Sequence, residues 1–216
     1  KEQYKNRLET IKKDNGNAFK DSIDLANSNH SKRTFIFNEK FLETIDLKKA
    51  ESIYRDRIKN AADFTFVFVG NIAETDLEAI NKYLGNLAGN QTQEKFTDHK
   101  IGTGKGFAKE KLVREMSVPK TSIYVHLENR NTAFSEKNQI MAYMLSQLLD
   151  KRYLDKIRED EGGSYGVQTE SSLSKNPSPV FSLRVSFDCN PEKDSKLLQI
   201  VYEELQTIVK NDVSAK

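Results

Sequence analysis

The sequence has a single cysteine, Cys189, so no intramolecular disulfide can form and the redox compartment stays undetermined. It has three histidines, His30, His99 and His126, and none stands at ligand spacing from another histidine or from the cysteine. A zinc site needs three or four converging donors, so the histidines read as ordinary surface or half-buried residues. Cys189 falls on the apolar parity of its strand and reads as a small core residue. With it goes a Cys-His nucleophile, and no Ser-His-Asp arrangement can be argued. No apolar run approaches the roughly 20 residues needed to span a membrane. Charge of one sign is missing as well: 34 Lys and Arg nearly cancel 32 Asp and Glu, leaving +2. A nucleic-acid partner would need a clustered basic face, and there is none. The chain opens on Lys1 with no methionine and no signal peptide, and is expected to be a fragment of a longer precursor. The missing leader therefore says little about location, and bacterial periplasm, cell envelope and cytoplasm all stay open.

What the chain does have is length and charge: 216 residues, 31% of them charged, enough for one large domain, or for one domain with a substantial helical extension. Residues 1–45 read as a helical leader, belonging either to this domain or to a preceding one. Tyr4, Leu8 and Ile11 recur at helical spacing, NGN at 15–17 breaks the run, and AFKDSIDLAN at 18–27 reads as a second short helix. Residues 46–216 read as the domain proper. Asp46 is an N-cap for a helix with the stripe Leu47, Ala50, Ile53, Tyr54 and Ile58. FTFVFVGN at 64–71 predicts a strand buried on both faces, and residues 74–87 a helix.

Residues 105–118 predict an edge strand, and TSIYVHLENR at 121–130 alternates cleanly as a further one. A long helix starts at Ser135, with Met141, Met144, Leu145, Leu148 and Leu149 as its core stripe, continued by Tyr153 and Ile157. Its end should fray near residues 159–162. SYGVQTESSL at 164–173 and VFSLRVSFDC at 180–189 predict strands joined by KNPSP, and Asn190 with Pro191 opens a last helix. The fold class is α+β: a layered, antiparallel-rich sheet with helices on one face, in the order β-α-β-β-α-β-β-α after a helical leader.

Two stretches invite a chemical reading. IGTGKGF at 101–107 is glycine-rich, but Phe107 stands near the lysine where a phosphate loop needs Ser or Thr, and a strand follows instead of a helix. IREDEGGSYGV at 157–167 places Arg158, Gly162, Gly163 and Tyr165 within eight residues at a helix-to-strand junction. The ordinary reading makes Arg158 a cation in a last helical turn and Tyr165 a half-buried strand opener. The functional reading lets Gly162 and Gly163 turn the chain sharply and leave room for another backbone. A guanidinium and a phenol could then project into one groove and suit peptide carbonyls, or an oxyanion forming on one. The three acids at 159–161 oppose the helix dipole, a hint that something else fixes the segment.

These residues resemble the C-terminal half of insulinase/pitrilysin-type zinc peptidases, with a bacterial zinc-protease flavour. Three pieces carry the likeness: FTFVFVGNIAETDLEAINKYLGNL at 64–87 with its lead-in from residue 50, TSIYVHLEN with the long helix after it, and YLDKIREDEGGSYGV at 153–167. It covers roughly residues 40–210, the span of one whole repeat domain. The resemblance implies an α+β clamshell half facing a zinc-bearing N-terminal half across a chamber. It implies that Tyr165 hydrogen-bonds the scissile carbonyl as it becomes an oxyanion, and that Arg158 holds substrate backbone nearby, with Gly162 and Gly163 in the binding turn. The family's inverted metal motif, H-x-x-E-H, is absent from this chain. Zinc and the catalytic base are therefore expected in a missing N-terminal half, from the same precursor or a separate subunit, and this fragment alone is expected to be inactive. The partners implied are that half and a peptide substrate, small or unfolded. A non-catalytic scaffold or peptide-binding module built on the same fold is the alternative, and a nucleotide-binding regulator using residues 102–106 a distant third.

Overall fold

The computed structural model describes the chain apart from residues 1, 91, 100, 161–163 and 211–216, and apart from the side chains of residues 159, 160 and 165. The chain divides into two compact units, one of residues 1–18 and 32–101, the other of residues 19–31 and 102–216.

The first unit is helical. Helices α1 (Glu2–Lys13), α3 (Glu39–Thr44), α4 (Leu47–Ile58) and α5 (Glu74–Leu84) lie in it, with the start of α2 (Asn15–Asn27). Asp46 caps α4 as its sequence predicts, its carboxylate accepting from the Lys49 amide at 3.1 Å. Phe35, Phe37 and Phe41 pack edge to face or tilted, with Tyr4 of α1 against Phe37. The α4 stripe Leu47, Ala50, Ile53, Tyr54 and Ile58 is exposed.

The strand expected at 64–69 does not form. Its residues make no ladder, and Val69 is 93% exposed. The edge strand expected within 105–118 is likewise without a ladder, and Val113 and Val118 are exposed. A strand needs neighbours for its backbone groups and a covered face for its side chains. Neither segment has a ladder partner among the described residues, so both stay irregular, the first despite its apolar sequence. The expected order thus loses its first two strands; its first helix forms as α5 in the first unit, and the rest is kept as β-α-β-β-α.

That remainder is the second unit, and it is α+β as predicted. Strands β1 (Thr121–Asn129), β2 (Ser164–Ser174) and β3 (Val180–Cys189) form one antiparallel sheet in the order β1-β3-β2. β1 runs against β3 in unbroken register from Thr121 opposite Cys189 to Asn129 opposite Phe181. The alternation of β3 sends Leu183, Val185, Phe187 and Cys189 to one face, where Val125 of β1 joins them. Helices α6 (Glu136–Tyr153) and α7 (Asp194–Lys210) cover that face, contributing Leu149, Tyr153, Leu197 and Val201. Ser135 caps α6 through the Asn138 amide at 3.1 Å. On the opposite face, Asn27 at the end of α2 hydrogen-bonds Tyr124 and His126 of β1.

Candidate functional site

The sequence suggests that α6 frays near residues 159–162, of which 161 and 162 lie outside the described residues. At Leu154 it widens into a π-helix, Leu154–Asp160, and the Leu154 amide is shared between the carbonyls of Asp150 and Lys151. A π-helical turn is rare, and such turns are concentrated at functional sites. Two contacts hold this one. Ile157 is wholly buried in the core beneath the sheet. Lys156 Nζ lies 3.1 Å from Glu204 Oε1 on α7, and Arg152 Nη1 donates to Glu204 Oε2 at 3.1 Å. Arg158 follows Ile157 directly, and its side chain is exposed.

Tyr153 closes the junction from below. Its hydroxyl donates to the Val201 carbonyl at 3.1 Å. Burial pushes its phenol well above the ordinary tyrosine range, and the Glu204 charge pushes the same way. It is a structural phenol, held protonated.

The strand side of the junction is irregular too. Ser164 faces Cys189 and Val167 faces Phe187, so Tyr165 and Gly166 together oppose the single residue Asp188. This is a β-bulge, a device that bends a strand and re-aims a side chain, often beside active sites. The Ser164 hydroxyl donates to the Gly166 carbonyl at 2.8 Å and steadies the bulge. Asp188 receives Lys120 Nζ at 2.8 Å and the Ser122 hydroxyl at 2.5 Å. Burial raises the Asp188 carboxyl, but these two donors outweigh it and hold the group below the usual carboxylate range.

The site residues predicted from sequence therefore fall as follows. Arg158 lies on the π-helix and the backbone of Tyr165 on the bulge, at the two ends of one junction. Gly162 and Gly163 lie outside the described residues, as does the Tyr165 side chain. Glu204 was missed. Its signal was in the sequence: an acid at a helical interval from Leu197 and Val201, on the stripe that becomes the buried face of α7.

His30 sits in a loop with Nε2 2.8 Å from Glu110 Oε1, and Cys189 is buried as predicted. Among the described residues no three His, Cys, Asp or Glu side chains converge as a metal site, so the donor set present does not fit zinc. No helix among the described residues is long and apolar enough to cross a membrane. A surface depression of the second unit, about 460 Å³, is open and lined by Lys109 and by α7 residues including Gln199, Tyr202 and Glu203.

The chain is similar to proteins of one kind. It is 27% identical over 179 residues to the probable zinc protease PqqL of Escherichia coli, covering 79% of this chain and 18% of that protein. It is 28% identical over 189 residues to the zinc protease PQQL-like of Arabidopsis thaliana, covering 80% of this chain and 20% of that protein. The crystal structure of the periplasmic protease PqqL from Escherichia coli matches with a TM-score of 0.74 at 21% identity, covering 97% of this chain and 23% of that one. The ferredoxin protease FusC, in complex with Arabidopsis ferredoxin, matches with a TM-score of 0.72 at 15% identity, covering 94% and 22%. The chain thus spans about a fifth of the length of these relatives. The family model described as the Peptidase M16 inactive domain matches residues 44–216. The zinc-peptidase resemblance carried by 64–87, 121–129 and 153–167 is thereby borne out, and the chain belongs to the M16 peptidase family, as its inactive domain.

Proposed function

We propose that this chain is the substrate-binding half of a zinc-dependent peptidase that hydrolyses peptides or unfolded polypeptides, completing an active site whose zinc lies in an N-terminal half. In this reading residues 46–216 are the repeat domain and residues 1–45 a helical leader. The observation that carries it is the junction itself. A family member has Arg158 on an exposed π-helical turn and Tyr165 on a bulge seven residues later, two irregularities flanking a glycine pair.

The chemistry follows from residue type. A phenol donates one hydrogen bond and stays protonated at neutral pH. Placed against a scissile carbonyl, the Tyr165 hydroxyl donates more strongly as that oxygen gains charge, which lowers the barrier and not merely the binding energy. The Arg158 guanidinium offers fixed, always-charged donors for substrate backbone carbonyls and holds the peptide in register. Gly162 and Gly163 leave room for that backbone. Zinc, bound elsewhere, supplies the activated water when present; no ligand for it is assigned to this chain.

The alternative is a scaffold or peptide-binding module. The family description, an inactive domain, suits that reading equally, as does the finding that no three metal-ligating side chains converge among the described residues. Peptide cleavage by the zinc-loaded full-length parent separates the two, with this chain alone as control. For Tyr165→Phe, kcat is expected to fall by about tenfold or more, the scale of one lost oxyanion donor. An unchanged kcat leaves the module reading in place.

A further inference from the structure

We propose that Glu204 is a positioning residue for Arg158, fixing the helical register that presents the guanidinium; the inference rests on the function proposed above. Glu204 is 5% exposed, and its two carboxylate oxygens are divided between Arg152 and Lys156, each at 3.1 Å. Arg152 precedes the α-to-π transition at Leu154, and Lys156 follows it. One carboxylate on a separate helix thus grips both sides of the point where the helix changes its winding. A switch between α and π hydrogen bonding rotates every later side chain about the helix axis. Lys156 and Ile157 are the residues immediately before Arg158, so their anchoring sets where Arg158 emerges.

Stability does not by itself explain the arrangement. A buried carboxylate flanked by cations is often no more stabilising than an apolar residue of similar volume. The neighbouring positions on the α7 stripe, Leu197 and Val201, are apolar and wholly buried. An acid at the next position on the same stripe, opposite the transition, has its clearest use in holding register. Both cations are partly exposed and would separate without it: the Arg152 side chain is 37% exposed and that of Lys156 54%.

The test uses the full-length parent, zinc-loaded, with Glu204→Gln, Arg158→Ala and the double variant. Glu204→Gln keeps the side-chain volume and an acceptor but removes the charge. It is expected to lower kcat/KM by about tenfold to a hundredfold, the scale of a small misplacement remote from the chemistry, chiefly through KM. In the Arg158→Ala background the same substitution is expected to have no further effect, because a positioning residue acts through the group it positions. A merely structural residue would lower activity equally in both backgrounds, and that result would overturn the proposal, as would wild-type activity for Glu204→Gln. Lys156→Met, at an exposed partner, is the second variant should Glu204→Gln fail to fold, and the same non-additivity with Arg158→Ala is required of it. Arg158→Ala alone tells the two layers apart. If it is silent, the function proposed above fails along with this inference; if it is damaging while Glu204→Gln and Lys156→Met are silent, only this inference fails.

Discussion

The Thr169 backbone amide of β2 donates to Asp150 Oδ1 on α6 at 2.7 Å, so the last turns of the helix are tied to the strand that follows the junction. Among the described residues β2 pairs with β3 alone, and Asp150 supplies this amide with an acceptor from the helix. Thr169 is buried, so its amide has no ready recourse to water. Asp150→Ala is expected to destabilise the chain by about 1–3 kcal/mol, the cost of an unsatisfied buried donor. Asp150→Asn should cost less, because its carboxamide oxygen still accepts. Urea unfolding with an unchanged m value reads both.

The same threonine carries the opposite prediction at its side chain. Thr169 Oγ1 is buried with no hydrogen-bond partner among the described residues. Valine has the same shape without the hydroxyl, and a stranded hydroxyl costs free energy on burial. Thr169→Val is therefore expected to leave stability unchanged or raise it by up to about 1 kcal/mol. A loss of the size seen for Asp150→Ala would mean that the hydroxyl has a partner.

Local chemistry was legible wherever one residue determines one local geometry. The Asp46 and Ser135 caps, the alternation of β3 and the 175–179 hairpin all follow from residue type and spacing. The strand expected at 64–69 fails because composition reports a strand's preference and not its partner. β-ladders are non-local, and no neighbour is written into FTFVFV. The junction is a mixed case. Its arginine, glycines and tyrosine are visible, but a π turn and a bulge have no residue code of their own. They arise from what the flanking elements pack against, here Ile157 in the core and Lys156 on Glu204.

His126 supplies a pH prediction. Its Nδ1 lies 2.7 Å from Asn27 Oδ1, while the Asn27 amide nitrogen donates to the Tyr124 hydroxyl at 3.3 Å. The neutral ring therefore donates from Nδ1 and leaves Nε2 bare, buried and without a partner among the described residues. Burial lowers its pKa, Arg184 on the facing strand lowers it further, and Glu128 opposes them. The unfolded chain then binds the proton more readily than the folded one, so stability is full above the ordinary imidazole pKa of about 6.5. It falls as pH drops from there toward the depressed folded value, and the loss levels off below that value. His126→Gln is expected to flatten this part of the stability-versus-pH curve, measured by urea unfolding across the window. A wild-type curve that is already flat there would rule out the assignment.

The last prediction sets the two readings of α6 against each other. Its spacing suggests a core stripe of Met141, Met144, Leu145, Leu148 and Leu149, yet the residues it buries are Ala142, Ser146, Leu149 and Tyr153. The reason is distance. The Ser171 hydroxyl of β2 donates to the Ala142 carbonyl, and a helix that brings its backbone this close to a strand has room only for small side chains at the contact. Met141 and Met144 turn outward, 55% and 63% exposed. Ala142→Leu is therefore expected to cost about 1–3 kcal/mol by overpacking. Met144→Ala in the 216-residue chain should stay within about 0.5 kcal/mol, as for other surface substitutions. The sequence stripe requires the reverse order, with Met144→Ala costing about 2–5 kcal/mol as a core truncation. Thermal or urea unfolding of these two single variants decides between the burial pattern and the periodicity.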